Sequence, residues 1–200
     1  MEGFFIDSKT NKNQISNTAK ILNNVFIENS VICGGAIIYP NSVIINSFIG
    51  ENAVVKSSYI EKSKVCENVE IGPFSHIKQN SVIGKNSTIG NFVEVKNSVI
   101  GENVKAKHHS YIGDAEVGKN TNIGCGVIFA NYNGKIKSKI IIEKNCFIGC
   151  NSNLIAPLVV AENTYISAGT TLTKNTNSGD FVIGRSRETI KPNKGFDYLK

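Results

Sequence analysis

The sequence predicts an all-β protein built as a parallel β-helix, and two observations lead to this fold class. Residues 71–95 and 142–172 each carry a β-branched or leucine side chain at every sixth position. An earlier set has the same spacing: Val31, Ile37, Val43, Ile49 and Val55. The composition is rich in Asn, Ser, Val, Ile and Gly, with one Met and no Trp, which favours short strands and tight corners over helices.

A six-residue period has a direct physical explanation. One strand and one corner place one apolar side chain inward, and three such units close a turn. Successive turns stack at the strand spacing of about 4.8 Å, so that the stack buries a continuous apolar ladder. Gly and Asn at the corners accept the positive φ that β-branched residues resist. A sandwich or barrel, with turn signals every 8–12 residues, does not fit this period.

The repeat divides the chain into three parts. Residues 1–20 carry no hexads, and we expect an irregular lead-in that covers the open edge of the helix. Residues 21–184 form the predicted β-helix, interrupted at 129–139 by a projecting loop with a turn signal at Asn133-Gly134. Residues 185–200 lose the repeat and form a basic C-terminal tail, which we expect to lie over an anion.

Charge and cysteine content limit the possible partners. The net charge of +6 comes from 22 basic and 16 acidic residues, but the lysines are scattered, which disfavours nucleic acid and suits small polyanions such as sugar phosphates and coenzyme A. No apolar run approaches the ~18 residues of a membrane span, and the N-terminus does not resemble a signal peptide. We therefore expect a cytoplasmic protein with no membrane partner. The five cysteines lack a C-x-x-C pair, which favours buried thiols over disulfides or a metal site.

Residues 90–139 carry the most specific motifs, NFVEVK, YIGDAE and NYNG. With IGPFSHIK before them and ISAGTTLTKN and IGRSR after them, they resemble the C-terminal domain of the bacterial bifunctional N-acetylglucosamine-1-phosphate uridyltransferase/glucosamine-1-phosphate acetyltransferase. The resemblance implies a left-handed β-helix and a homotrimer whose sites lie between neighbouring chains. It also implies acetyl transfer from acetyl-CoA to glucosamine-1-phosphate, which supplies amino sugars for the cell wall.

No segment resembles the Gly-rich nucleotide-binding start of the uridyltransferase domain. We therefore expect this chain, as a stand-alone enzyme or a fragment, not to make a nucleotide sugar. A separate uridyltransferase is then a possible partner, which would use the acetylated product in the next step.

His108 is the candidate general base. A thioester is attacked by an unprotonated amine, so a base that works near pH 7 is needed, and the reference pKa of histidine, about 6.5, suits that task. A single histidine is more often a surface residue, so the assignment depends on the match of KHHSYIGD to the family motif. Because neighbours on a strand point to opposite faces, only one of His108 and His109 is expected to serve the site.

The resemblance also implies the binding residues. The sugar phosphate is expected to contact Lys78, Lys96, Tyr111, Asn122 and Lys137, and acetyl-CoA is expected to contact Cys125, Asn131, Tyr132, Cys150, Ala168 and Arg185. Lysines suit a phosphate, and hydroxyl and amide groups suit sugar hydroxyls. Lys78 replaces an arginine of the family and loses the bidentate fork, so we expect weaker binding there.

Two further departures put turnover in question. Cys125 replaces an alanine, and Cys150 replaces a serine whose hydroxyl is a better donor to an oxyanion than a thiol is. A covalent acetyl intermediate on Cys150 is the alternative mechanism, whereas the resemblance implies direct transfer.

Three other functions are alternatives to this assignment. A zinc carbonic anhydrase on the same prism needs three convergent histidines, which His76 and the adjacent pair His108–His109 do not supply, so no metal is expected. A copy that binds sugar phosphate or a protein partner without turnover remains an alternative. An acyltransferase for another amino sugar is a further one, although the retained Lys96, Tyr111 and Asn122 argue against it.

Overall fold

The computed structural model describes residues 13–197, which form a three-sided parallel β-helix. Each strand pairs in parallel with the strand one turn later: Val31 lies opposite Phe48, and Val43 lies opposite Tyr59. The β-helix predicted from the hexads is confirmed. One short 3-10 helix, Lys194–Asp197, follows the strands. Among the described residues, no helix is both long enough and apolar enough to cross a membrane.

The chain visits three faces in turn. Face 1 is a nine-stranded sheet with the strands Gln14–Ile15, Val31–Ile32, Phe48–Ile49, Lys64–Val65, Val82–Ile83, Val99–Ile100, Ala115–Val117, Ile140–Ile142 and Leu158–Val160. Face 2 contains Lys20–Ile21, Ile37–Ile38, Val54–Val55, Glu70–Ile71, Asn122–Ile123, Phe147–Ile148, Tyr165–Ile166 and Phe181–Val182. Face 3 contains Phe26–Glu28, Val43–Ile45, Tyr59–Glu61, His76–Lys78, Ile128–Ala130, Asn153–Ile155 and Thr171–Leu172.

Two longer strands join faces 2 and 3. Thr88–Lys96 and Lys105–Gly113 each span nine residues and continue around the corner between these faces. They pair with each other along their whole length, with Thr88 opposite Lys105 at one end and Lys96 opposite Gly113 at the other. Faces 2 and 3 therefore form one 17-stranded sheet. This stretch contains His108 near its bend.

Ile, Val and Leu side chains from all three faces fill the core. The runs from Ile71 to Val95 and from Ile142 to Leu172 are buried, as predicted. In the earliest run Ile49 and Val55 are buried as predicted. At its first three positions the prediction is wrong by one residue, because Ile32, Ile38 and Ile44 are buried, whereas Val31, Ile37 and Val43 remain partly exposed. Each position is half of an apolar pair, so hydrophobicity alone did not identify the inward residue.

Asparagines in the left-handed conformation form the corner between faces 1 and 2. Asn103, Asn120, Asn145 and Asn163 have φ of 57°, 60°, 60° and 60°. Their amides are linked from turn to turn by hydrogen bonds of 3.1, 3.1 and 3.2 Å. This column, the Asn103–Asn163 ladder, satisfies side-chain polar groups while it supplies the backbone geometry that the corner requires.

The projecting loop and the chain ends differ in extent from the prediction. Phe129 is fully buried in the strand Ile128–Ala130, so the interruption of the repeat begins at Asn131. The turn that carries it spans 25 residues between Asn120 and Asn145, compared with 18 between Asn145 and Asn163. Gln14–Ile15 already pairs with Val31–Ile32, inside the predicted lead-in. Residues 1–12 of that lead-in and 198–200 of the tail lie outside the described residues.

Candidate active site

His108 lies at the corner where face 2 turns into face 3. Its backbone pairs with Asn91 of the preceding turn. On the next turn, the Gly126 amide donates to the His109 carbonyl oxygen at 2.8 Å. One turn further, the Asn151 amide donates to the Cys125 carbonyl oxygen at 2.7 Å. Corner residues of successive turns therefore stack, about 4.8 Å apart. The stack, which we call the His108 column, consists of the exposed residues His108, Cys125, Cys150 and Ala168.

Arg185 lies next to the end of this column. Its Nη1 atom donates to Ser167 Oγ and to the Ala168 carbonyl oxygen, both at 2.8 Å. The guanidinium is thereby held at the corner of the preceding turn while the residue remains exposed. The structure thus brings together the predicted base and four of the six residues assigned to acetyl-CoA.

Asn91 holds the imidazole of His108, a contact that the sequence did not predict. The Nδ1 atom of His108 lies 3.3 Å from Asn91 Oδ1. If Nδ1 carries the proton of this hydrogen bond, Nε2 is left unprotonated to accept one. Asn91 belongs to the NFVEVK motif, and this motif is the sequence feature from which it could have been identified as a site residue.

The strand alternation expected for His108 and His109 is wrong at this corner. Both residues are exposed, because His109 takes the corner conformation with φ of 31°. Phe92 holds the equivalent place one turn earlier with φ of 57°, and its ring stacks on Phe74 with the centroids 5.6 Å apart. An exposed aromatic pair therefore borders one end of the His108 column.

Lys78 and Lys96 lie at the other end of face 3, where they are register partners on neighbouring turns. Lys78 Nζ contacts Glu94 Oε1 at 2.9 Å, and Lys96 Nζ lies 4.0 Å from Asp114 Oδ2. Only 14% of the Lys96 side chain is exposed. Both cations thus have a carboxylate partner, and Glu94 and Asp114 are two site residues that sequence reasoning missed although both belong to quoted motifs.

Asp114 also connects this end of face 3 to the projecting loop. It accepts hydrogen bonds from Asn97 (2.6 Å) and from the side chain of Asn131. Asn131 is only 6% exposed, so its amide is directed into the corner. The predicted acetyl-CoA contact therefore has a hydrogen-bond partner within its own chain.

Beyond Asn131 the loop is exposed. Tyr132 and Lys137 form an antiparallel bridge, and the Tyr132 hydroxyl donates to the Gly134 carbonyl oxygen at 2.7 Å. Asn133 Oδ1 accepts from the amides of Lys135 and Ile136, which closes the turn predicted from Asn133-Gly134. Tyr132 and Lys137 project from the corner between faces 3 and 1.

Tyr111 lies on face 3, between the His108 column and the lysines Lys78 and Lys96. Asn122 does not lie on this face. Tyr111 pairs with Glu94, and its ring covers Gly113 so closely that a Cβ there would clash with it. Because Gly113 is the register partner of Lys96, the Tyr111 hydroxyl is directed toward the lysine end. Asn122 pairs with Lys105 and Phe147 on face 2, on the opposite side of the His108 corner. At about 3.3 Å per residue, His108 and Gly113 are roughly 16 Å apart along the strand.

The cysteines divide into two classes. Burial raises the pKa of the thiols of Cys33, Cys66 and Cys146. Cys125 and Cys150 lie exposed at an outward corner, and Cys33 and Cys66 are only partly buried. The expectation of buried thiols is therefore wrong for Cys125 and Cys150 and holds fully for Cys146 alone among the five. Within residues 13–197 no three His, Cys, Asp or Glu side chains are grouped so as to hold a metal ion.

Two family models match the chain. The model described as GMPPB C-terminal domain covers residues 59–133, and the model described as hexapeptide repeat of succinyl-transferase covers residues 139–174. Together they extend from face 3 of the N-terminal half through the His108 column.

Curated relatives confirm the resemblance that the motifs indicate. Bifunctional protein GlmU of Caldicellulosiruptor saccharolyticus is 48% identical over 119 residues, which is 60% of this chain and 26% of that protein. GlmU of Clostridium kluyveri is 49% identical over 128 residues, covering 64% of this chain and 28% of that protein. The chain therefore spans about a quarter of the length of the relatives it matches.

Solved structures support the fold. LpxA from Acinetobacter baumannii superposes with a TM-score of 0.55 over 84% of this chain and 69% of its own, at 16% identity. UDP-N-acetylglucosamine acyltransferase from Campylobacter jejuni gives a TM-score of 0.54 at 14% identity, over 86% of this chain and 71% of its own. At these identities the likeness concerns the fold alone.

Proposed function

We propose that this chain is an acyltransferase of the hexapeptide-repeat class, and specifically an acetyl-CoA-dependent glucosamine-1-phosphate N-acetyltransferase with His108 as general base. The class is supported by identities of about 50% to proteins named GlmU. The observation that carries the specific assignment is the His108 column, because it aligns the candidate base with Cys125, Cys150 and Ala168 on consecutive turns, and Arg185 is hydrogen-bonded at its end.

The proposed chemistry is direct transfer. The sugar amine attacks the thioester carbonyl carbon, a C–N bond forms, the C–S bond breaks, and coenzyme A leaves as its thiolate. His108 Nε2 accepts the amine proton, while Asn91 holds the imidazole through Nδ1. Arg185, fixed by two hydrogen bonds, is placed to pair with a phosphate of the coenzyme.

The sugar phosphate is proposed to bind along face 3. Lys96 and Lys78 would hold the phosphate, and Tyr111 lies between them and His108. Glu94 and Asp114 partly neutralise the two lysines, and we expect this to weaken phosphate binding. Tyr132 and Lys137 project from another corner, so we propose a homotrimer in which the loop of one chain completes the site of its neighbour.

One observation favours a second candidate, a protein that binds the sugar phosphate without turnover. Lys78 and Cys150 stand where the family has arginine and serine, and Lys78 is already paired with Glu94 at 2.9 Å. Loss of the serine hydroxyl removes a donor for the developing oxyanion. A rate measurement separates the two candidates.

The test is a steady-state assay with acetyl-CoA and glucosamine-1-phosphate, in which released coenzyme A is quantified by chromatography so that the five protein thiols do not interfere. We expect release that requires the sugar phosphate, and a kcat about 10²–10⁴-fold lower in His108→Ala. His109→Asn is the matched control, because Asn accepts the corner φ of residue 109, and it should retain activity.

The outcomes distinguish the candidates. Binding of both ligands in calorimetry without release of coenzyme A would support the non-catalytic protein. Equal losses in the His108 and His109 variants would contradict the assignment of the base. Absence of both binding and release would overturn the proposed function.

A further inference from the structure

Cys125 and Cys150 are exposed thiols on neighbouring turns of one corner. The register that relates their turns is fixed on both sides, because Ile123 pairs with Ile148 and Ile128 pairs with Asn153. At the corner itself, the Asn151 amide donates to the Cys125 carbonyl oxygen at 2.7 Å. The two cysteines are thus direct register partners with no residue between them.

Their spacing is compatible with a disulfide. Neighbouring parallel strands are about 4.8 Å apart, and disulfide-linked residues have Cα separations of roughly 4.4–6.8 Å. Both side chains are outside the core, so rotation of the thiols does not disturb the apolar ladder.

The other cysteines provide an internal contrast. Cys33 and Cys66 share the corner between faces 1 and 2, but the turn that carries Gly50 separates them, since the Cys33 amide bonds to Ile49 and the Gly50 amide bonds to Val65. Two turns amount to about 9.6 Å, beyond the reach of a disulfide. Cys146 is buried, and its Sγ atom lies 3.2 Å from the Ala161 carbonyl oxygen.

We propose that Cys125 and Cys150 form a dithiol modification site, which a low-molecular-weight disulfide such as oxidised glutathione converts into an intrachain disulfide. One cysteine thiolate attacks a sulfur of oxidised glutathione, which gives a mixed disulfide and releases one glutathione. The second cysteine thiolate attacks the protein sulfur of that mixed disulfide and releases the other glutathione. Two protein thiols are oxidised, one S–S bond forms, and one small disulfide is reduced to two thiols.

The bond would lie within the His108 column, between His108 and Ala168. It would cover the corner at which acetyl-CoA is proposed to bind, and it would draw together two side chains assigned to that ligand. The dithiol itself does not depend on any activity, whereas this consequence rests on the proposed function. We therefore expect the disulfide to lower the affinity for acetyl-CoA at least tenfold, and a reductant to restore it.

The experiment treats reduced wild-type protein with oxidised glutathione, alkylates the remaining thiols under denaturing conditions and measures the intact mass and the peptides. We expect alkylation of three of the five cysteines and a peptide in which Cys125 is linked to Cys150. Cys125→Ser and Cys150→Ser should each retain one glutathione adduct, because the second thiolate is missing. Cys33→Ser and Cys66→Ser should still form the link.

Stable glutathione adducts on both cysteines, five alkylated thiols, or a link between two chains on a non-reducing gel would overturn the proposal. Calorimetry of acetyl-CoA with reduced and oxidised protein then tests the consequence. A disulfide that forms without a change in acetyl-CoA affinity would contradict the blocking of this corner. Absence of acetyl-CoA binding to the reduced protein as well would instead contradict the proposed function and leave the dithiol established.

Discussion

At the scale of single residues, the orientation of one imidazole decides whether His108 can act as a base. The ring is exposed at a corner, where packing does not fix its rotamer. Its hydrogen bond to Asn91 joins Nδ1 to Oδ1 at 3.3 Å. When Nδ1 carries the proton of this bond, Nε2 is the acceptor. Asn91 therefore acts as a positioning residue.

The first prediction concerns this contact. Asn91→Ala removes the acceptor, and kcat should fall about 10- to 100-fold, because one hydrogen bond to a group that becomes charged is worth about 1.5–3 kcal/mol. KM for both substrates should change little, since Asn91 is assigned to neither ligand. Asn91→Asp keeps an acceptor oxygen and should recover most of the rate. A fall in kcat of the same size in both variants, or an effect on KM alone, would contradict the positioning role.

The sequence identified His108 through its motif but did not identify its partner. Asn91 lies seventeen residues earlier, and only the register between turns brings the two side chains together. The same holds for Asp114, which contacts Lys96 and Asn97 of an earlier segment and Asn131 of a later one. Motif matching finds residues one at a time, whereas these contacts are set by the length of each turn.

At the scale of elements, the Asn103–Asn163 ladder joins turns of unequal length. Asn120 occupies its centre, where it accepts from Asn103 and donates to Asn145 across the turn that carries the loop. Its φ of 60° is costly for most residues, so Asn120 contributes both a backbone conformation and two side-chain hydrogen bonds.

The second prediction separates these contributions. Asn120→Gly keeps the backbone freedom and loses the side chain, which should lower the free energy of unfolding by about 1 kcal/mol. Asn120→Ala should cost about 1 kcal/mol more, because alanine resists the left-handed conformation. Urea denaturation at equal slopes measures both values. Equal stability of the two variants would show that φ at this corner is not a constraint.

The third prediction concerns the projecting loop. Deletion of residues 132–138 shortens a turn of 25 residues to the 18 of the next one and leaves the Asn131–Asp114 contact in place. Since Ile140 and Ile142 resume the register with Ala115 and Val117, the β-helix should remain folded by circular dichroism. Release of coenzyme A should fall at least a hundredfold, because Tyr132 and Lys137 are lost. If the deletion variant keeps its activity, Tyr132 and Lys137 are not part of the site.

The strands also show where the six-residue period predicts the buried residues correctly and where it does not. Ile71 and Ile77 were correctly placed inside because each is flanked by residues that suit an outward position. At Val31-Ile32 both residues are apolar, and a shift of one position exchanges the two faces of a strand. The positive φ of Phe74 and Phe92 was also missed, because aromatic residues are not the usual choice at such corners.

At the scale of the whole molecule, the candidate site is distributed over two corners of one prism. The His108 column lies between faces 2 and 3, whereas Tyr132 and Lys137 project from the corner between faces 3 and 1. The two corners are separated by the width of face 3, about 16 Å from His108 to Gly113. A cyclic trimer of parallel prisms would bring the loop of one chain next to the His108 column of its neighbour.

The last prediction follows from this arrangement. If each site takes His108 from one chain and Lys137 from the next, coexpression of His108→Ala with Lys137→Ala in equal amounts should give about a quarter of the wild-type activity, since every mixed trimer regains one intact site. His108→Ala coexpressed with the double variant should stay inactive, because no arrangement restores a site. If both residues of a site came from the same chain, mixing the two single variants would restore no activity. The mixture therefore decides whether the loop acts within its own prism or on the neighbouring one.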